Sequence, residues 1–302
     1  MLYICFINMK NGDTLTSSIN FKQVARALSI VENDLAGSAQ LLKSLTFNKP
    51  SPIIGITGPP GAGKSTLVNE LINNLLTDGN KIAVLAIDPT SPFNFGSLLG
   101  DRIRMASHFN HPDVFIRSLA TRGSLGGLSA KTIEMADVLR AAGFDYVLIE
   151  TVGVGQSEVE ITGLADVTLV ILVPEAGDEI QHIKSGLMEI ADAFIINKAD
   201  RAGADIFFNN LKKITGQNKD AQTAIFKTVA SQAIGIDEVV GFIKSSSSQK
   251  NKRKELLLAE KAYKLIQHKL TQHIDKKKLQ QDVAEALNSD GFNLYSFVDS
   301  YL

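Results

Sequence analysis

Seven short apolar runs recur along the chain: Ile53 to Thr57, Ile82 to Ile87, Val114 to Ile116, Tyr146 to Ile149, Val167 to Val173, Ala193 to Ile196 and Ile225 to Val229. They alternate with stretches whose apolar positions follow helical spacing, such as Thr66 to Leu76. Near-continuous apolar strands between helices predict an α/β fold with a mostly parallel sheet covered by helices on both faces. Ahead of the first run, residues 20–46 read as helices carrying Val24, Leu28, Leu35, Leu41, Leu42 and Leu45 on apolar faces, ended by Pro50 and Pro52.

The serine run Ser245 to Ser248 reads as a linker, followed by two or three helices. Three parts are therefore expected: an N-terminal helical extension over 1–50, the sheet domain over 51–245 and a C-terminal helical arm over 246–302. Between Lys250 and Lys278 stand ten basic and three acidic residues, with Leu258, Ala262, Leu265, Ile266, Leu270 and Ile274 as an apolar stripe. Two readings stay open for that stripe: a helix packed on one face and solvated on the other, or a protruding arm for dimerisation or partner binding.

Composition narrows the classes. Cys5 is the single cysteine, which excludes an internal disulfide and a multi-cysteine metal site and suits a reducing cytoplasm. The formal net charge of -1 supplies no general attraction to nucleic acid or to an anionic membrane. Leu2 to Ile7 is too short and unflanked for a secretory signal. Nothing approaches the roughly 18 uninterrupted apolar residues of a membrane span, so a cytoplasmic protein is expected. Met9 stands as a second candidate initiator.

Chemistry concentrates at the ends of the strands. Gly58-Pro59-Pro60-Gly61-Ala62-Gly63-Lys64-Ser65 fits G-x-x-x-x-G-K-[ST], and it lies between a strand and the helix opened by Thr66. Glycines let backbone N–H groups wrap phosphates, the helix start adds partial positive charge, Lys64 reaches the β- and γ-phosphates and Ser65 ligates magnesium. In the empty site Lys64 is expected to face solvent. Asn197-Lys198-Ala199-Asp200 directly follows the sixth run, at the carboxyl edge where open sheets bind ligands. A carboxylate there accepts guanine N1–H and the exocyclic amine, neither of which adenine presents in that arrangement; such a site rejects the wrong base by about 10⁴ to 10⁵. GTP and GDP are the expected ligands. Ala230-Ser231, after the last strand, is a candidate to complete the base pocket.

Between the two motifs lie acidic candidates for magnesium: Asp88 at the end of the second run, Asp101 after a segment containing glycine and proline, and Glu150 at the end of the fourth. Each has the alternative of being a solvated carboxylate at a sheet edge. Glu150-Thr151-Val152-Gly153 occupies the place of a D-x-x-G element with Glu for Asp, so Glu150 meets the metal either directly or through a water, while Gly153 offers its N–H to the γ-phosphate. Val154 stands where Ras-type enzymes place the water-orienting glutamine, and Gln156 lies two residues on. Slow intrinsic hydrolysis is expected, completed by loop movement or a partner.

Five ordered runs carry a resemblance: Ile54 to Leu67, Ala86 to Pro92 with Gly100-Asp101-Arg102, Arg117 to Ser129, Gly143 to Glu158, and Gly177 to Asp192 leading into Asn197. Over roughly residues 20–245 the chain resembles the MeaB/ArgK family of GTPases, chaperones of adenosylcobalamin-dependent acyl-CoA mutases. The resemblance implies a P-loop fold, a methylmalonyl-CoA mutase partner, a homodimer, and switch segments near Asp88 to Arg104 and Glu150 to Glu158. It also implies a relay of nucleotide state to the mutase over Gly177 to Lys184, for which the residues alone show a Gly-Asp-Glu loop that an ordinary capped helix start would explain; Lys64, Asp101, Glu150 and Lys184 are the catalytic candidates. The family carries tryptophan in its C-terminal helices, and this chain has none. Three rivals are set beside it. A transport-associated ATPase or kinase is opposed by Asp200, nickel insertion by the lack of a Cys/His cluster, and a nucleotide-gated interaction module differs only in having negligible turnover.

Overall fold

A computed structural model of the chain describes residues 19–88, 105–120, 130–151, 161–175, 191–216, 223–248, 254–271, 273–288 and 291–301. Its centre is a seven-stranded parallel sheet made of β1 (Ile53–Thr57), β2 (Ile82–Asp88), β3 (Val114–Ala120), β4 (Tyr146–Glu150), β5 (Val167–Leu172), β6 (Ala193–Ile196) and β7 (Ala224–Lys227). The spatial order is β3-β2-β4-β1-β5-β6-β7. β1 lies between β4 and β5, with Ile54 level with Leu148 on one side and Val167 on the other. Chain direction across the sheet reverses at β1, and the crevice beyond its carboxyl end is where such folds take ligands.

The inner strands β1, β4, β5 and β6 are buried almost throughout because helices cover both faces, whereas the edge strand β7 is half-buried and ends in the exposed Lys227. Lys64–Thr77 (α3) and Ile236–Ser248 (α6) pack Leu67, Leu71, Ile72, Val239 and Ile243 against Ile56, Leu169 and Ile195. On the opposite face Ala204–Thr215 (α5) packs Phe207 and Leu211 against Val170, Leu172 and Phe194. The helices before the sheet are Phe21–Glu32 (α1), capped by Asn20 Oδ1 accepting from Gln23 N–H at 3.1 Å, and Ser38–Lys43 (α2). α1 buries Val24, Ala27, Leu28 and Val31, and Phe21 meets the rings of Phe115 and Phe144 at 5.5 and 6.0 Å.

The third strand runs on to Ala120, beyond the expected Ile116. Arg117 broke the apolar pattern there, but on the edge strand its guanidinium is matched by Glu32 of α1 at 2.6 Å. The serine run is helical and not a linker: Ser245–Ser248 close α6, and Ser245 Oγ donates back to the Phe242 carbonyl at 2.9 Å.

The chain divides into two compact units, Met1–Lys261 and Ala262–Leu302, and the division falls within Lys254–Thr271 (α7). In the first unit Lys261 is buried; burial pulls its ammonium below the ordinary lysine value while Asp137 and Asp166 pull it back up. Asp137 belongs to the helix Ala130–Ala141 (α4), and burial pushes its carboxyl up. The second unit holds the rest of α7, Lys276–Ala286 (α8), capped by Asp275, and Leu294–Asp299 (α9), capped by Asn293. Among the described residues no helix is long and apolar enough to cross a membrane.

Candidate nucleotide site

β1 ends at Thr57 and the loop Gly58 to Gly63 carries the chain into α3. Two glycines explain how tightly it is seated. Gly58 has φ +139°, and a Cβ there would stand 2.1 Å from the Ile171 carbonyl oxygen; Gly63 has φ +88°, and a Cβ would stand 2.4 Å from Asn197 Nδ2. A side chain at either place would push the loop off its neighbours. Gly63 precedes α3 without a side-chain cap, leaving the first-turn N–H groups for another acceptor.

Lys64 does not face solvent as expected. It is buried, and its Nζ donates to the carbonyls of Gly58 at 2.8 Å and Pro59 at 3.0 Å. The ammonium is held over the concave loop by its own backbone acceptors, a better arrangement for a desolvated charge than an extended side chain. Ser65, also buried, donates from Oγ to Glu150 Oε1 at 2.7 Å. Glu150 is itself buried at the end of β4, level with Ile56 of β1 and Ala86 of β2. Thr66 stands in the first turn of α3. Asp88 closes β2; its side chain, with Asp101, Gly153, Val154, Gln156 and Lys184, lies outside the described residues.

The second motif is physically joined to the first. Asn197, buried after β6, donates from Nδ2 to the Ala62 carbonyl at 2.9 Å. Its Oδ1 accepts from Ala230 N–H at 3.1 Å and Thr228 Oγ1 at 3.2 Å. One amide therefore links the phosphate loop, the end of β6 and the turn after β7. Lys198 adopts φ +55° and its Nζ donates to the Gly61 carbonyl at 2.7 Å. Asp200 is exposed two residues on, beside Arg201, which pairs with Glu175. Ala230 is thus brought beside Asn197, which anchors it. Thr57, Thr151 and Thr228, all buried, have no role among the expected site residues; a threonine at the carboxyl end of an apolar strand is the local signal they share.

Behind the loop, Ser107 Oγ contacts Asn69 Oδ1 of α3 at 3.2 Å, and the neighbouring His108 is buried. Burial, then the nearby His111, holds its imidazole below the ordinary histidine value, against smaller opposing effects of the Asn69 backbone and Glu70.

A parallel sheet whose central strand feeds a phosphate-wrapping loop, stitched to an N-K-x-D loop at the same edge, defines a P-loop nucleotide-binding protein of the guanine-reading kind. The family model described as methylmalonyl Co-A mutase-associated GTPase MeaB matches residues 24–286. A protein of Pyrococcus horikoshii, provisionally named a GTPase, is 46% identical over 240 residues, which cover 76% of this chain and 73% of that one. The GTPase ArgK of Escherichia coli is 42% identical over 203 residues, 64% of this chain and 61% of that one. The mouse protein named methylmalonic aciduria type A homolog, mitochondrial, is 44% identical over 159 residues, 52% of this chain and 37% of that one. Among solved structures, that of LAO/AO transport system kinase superposes with a TM-score of 0.66 at 24% identity, over 94% of this chain and 92% of that one. At that identity the likeness is one of fold. The chain belongs to the MeaB family of GTPases.

Proposed function

We propose that this GTPase serves an adenosylcobalamin-dependent acyl-CoA mutase, methylmalonyl-CoA mutase in the first place, as a GTP-gated chaperone. The observation that carries the reading is the family match across residues 24–286, whose description names that mutase. The mouse relative's name points to methylmalonic acid metabolism as well.

The site supports a division of labour. On GTP binding Lys64 exchanges the carbonyls of Gly58 and Pro59 for the β- and γ-phosphates. Gly58 to Gly63 and Thr66 contribute backbone N–H groups to the phosphates. Asp200 reads guanine, Lys198 borders the base from its seat on Gly61, and Asn197 holds the two loops in register. The Ser65 hydroxyl and Glu150 carboxylate, 2.7 Å apart, are hard oxygen donors of the type Mg²⁺ takes, and Asp88 and Asp101 are further candidate ligands. Bound magnesium would neutralise charge on the β- and γ-phosphates. Gly153 is assigned to the γ-phosphate, and Asp101 and Lys184 to the hydrolytic state that the mutase stabilises. The deciding measurement is single-turnover GTP hydrolysis with saturating mutase, repeated with Asp101→Ala and Lys184→Ala. Stimulation by wild type that both variants lose is expected; no stimulation by any acyl-CoA mutase of the same genome ends the chaperone reading.

A homodimer belongs to the same proposal. In the second unit the stripe residues Ile266 and Leu270 of α7 are 55% and 67% exposed, apolar positions that a second copy would cover. Light scattering should give a dimer for wild type and a monomer for the double variant Ile266→Asp, Leu270→Asp. A wild type that is monomeric at micromolar concentration defeats it.

A further inference from the structure

We propose that Thr57 and Thr151 form a positioning pair for GTP hydrolysis: a buried bond between two hydroxyls that fixes the Glu150 end of β4 against the root of the phosphate loop. Thr57 is the last residue of β1, next to Gly58, and Thr151 follows Glu150. The β1–β4 ladder ends with Ile56 opposite Glu150. Thr151 N–H then donates to the Ile56 carbonyl at 3.0 Å, and from there the side chains take over, Thr151 Oγ1 donating to Thr57 Oγ1 at 2.9 Å. Thr151 Oγ1 also lies 3.4 Å from the Ile56 carbonyl.

Both threonines are essentially inaccessible, at 0% and 1% exposure. Valine has the same shape, and packing alone would accept it at either position. A buried hydroxyl carries a desolvation penalty that its bond has to offset, so a facing pair of them is a specific cross-tie and not a filler. What it ties is the geometry of the Ser65–Glu150 contact. Ser65 is carried by the first turn of α3, which β1 feeds through the loop, whereas Glu150 is carried by β4, and the 2.7 Å between their oxygens holds only while the two strand ends stay in register. The N–H cradle of Gly58 to Gly63 belongs to the β1 side alone. Loosening the pair should therefore leave nucleotide binding intact and slow the hydrolytic step.

The inference rests on the proposed roles of Ser65 and Glu150, and the experiment separates the two. Steady-state GTP hydrolysis by the full chain at saturating magnesium is measured for Thr151→Val, Thr57→Val, the double variant and Thr151→Ser. Each single valine should lower kcat by about three- to ten-fold, as loss of one buried hydrogen bond would, with KM and GTP affinity within about two-fold of wild type. The double variant should be no slower than either single, since the second oxygen has no partner left to lose, and serine should restore the rate. Unchanged kcat in both single variants, or losses that multiply in the double, overturns the proposal. So does a fall in urea stability with kcat intact, which is the signature of a purely structural bond. Thr57→Val supplies the same test should Thr151→Val fold poorly. The ligand reading fails by itself if Ser65→Ala keeps full magnesium-dependent hydrolysis while the valine variants are slow.

Discussion

At the phosphate end of the site the polar groups of Lys64, Ser65 and Glu150 are buried and already engaged: Lys64 on two carbonyls of its own loop, Ser65 on Glu150. At the other end Asp200, the proposed reader of guanine, is exposed, and Lys198 is half-buried against Gly61. The contrast follows from what each end must do. A phosphate is recognised by charge and by a fixed set of N–H groups, so the loop has to exist before the ligand arrives, and its charges need internal partners meanwhile. A base is recognised by which donors it carries; a carboxylate that stays hydrated until guanine displaces the water discriminates at the moment of desolvation. Asn197 makes one site of the two ends, with its amide nitrogen on the phosphate loop and its amide oxygen on the turn after β7.

Substitutions at either end test this division, beginning with the largest effect. Lys64→Ala should weaken GTP binding by about 10³-fold, two charge-assisted phosphate bonds being lost, while the Gly58 and Pro59 carbonyls left without that donor should cost the fold about 1 to 3 kcal/mol. Unchanged affinity by calorimetry would falsify the preassembled-cradle view. Asp200→Asn should weaken GTP by about 10²-fold and gain xanthosine triphosphate, because an amide offers a donor where xanthine carries a carbonyl. Equal GTP affinity in variant and wild type would remove Asp200 as the base reader.

Asn197→Ala targets the joint itself. It strands the buried Ala62 carbonyl and Ala230 N–H, so chemical denaturation should show a loss of about 1 to 3 kcal/mol, together with roughly ten-fold weaker binding of GTP and, in the Asp200→Asn background, of xanthosine triphosphate. A loss confined to stability would show that the two ends are independent. The smallest effect is expected behind the phosphate loop. His108 is neutral in the fold and titrates below the ordinary histidine value of about 6.5, so its contribution is fully present above that pH. That contribution is lost as pH falls toward the lowered folded value, because the unfolded chain then takes up a proton that the buried ring resists. Thermal unfolding between neutral and mildly acidic pH should therefore fall less steeply in His108→Asn; parallel curves would discard the effect.

The starts of β1 to β6 coincide with the starts of their apolar runs, and the Gly58 to Ser65 motif sits between β1 and α3 as its spacing implies. These features are local: a strand buried on both faces must be apolar throughout, and a phosphate loop must place its glycines and lysine a few residues apart. Strand order and the role of Asn197 as a joint are decided at a distance. Arg117 looks like a strand terminator until Glu32, 85 residues earlier, lies beside it, and Ser245 to Ser248 look like a linker until the helix packed through Val239 and Ile243 carries on through them. Thr57 and Thr151 stand 94 residues apart, and nothing near either one predicts a hydroxyl partner. Chain pattern dictates which face a residue turns inward; only the assembled sheet brings together the groups that answer each other across it.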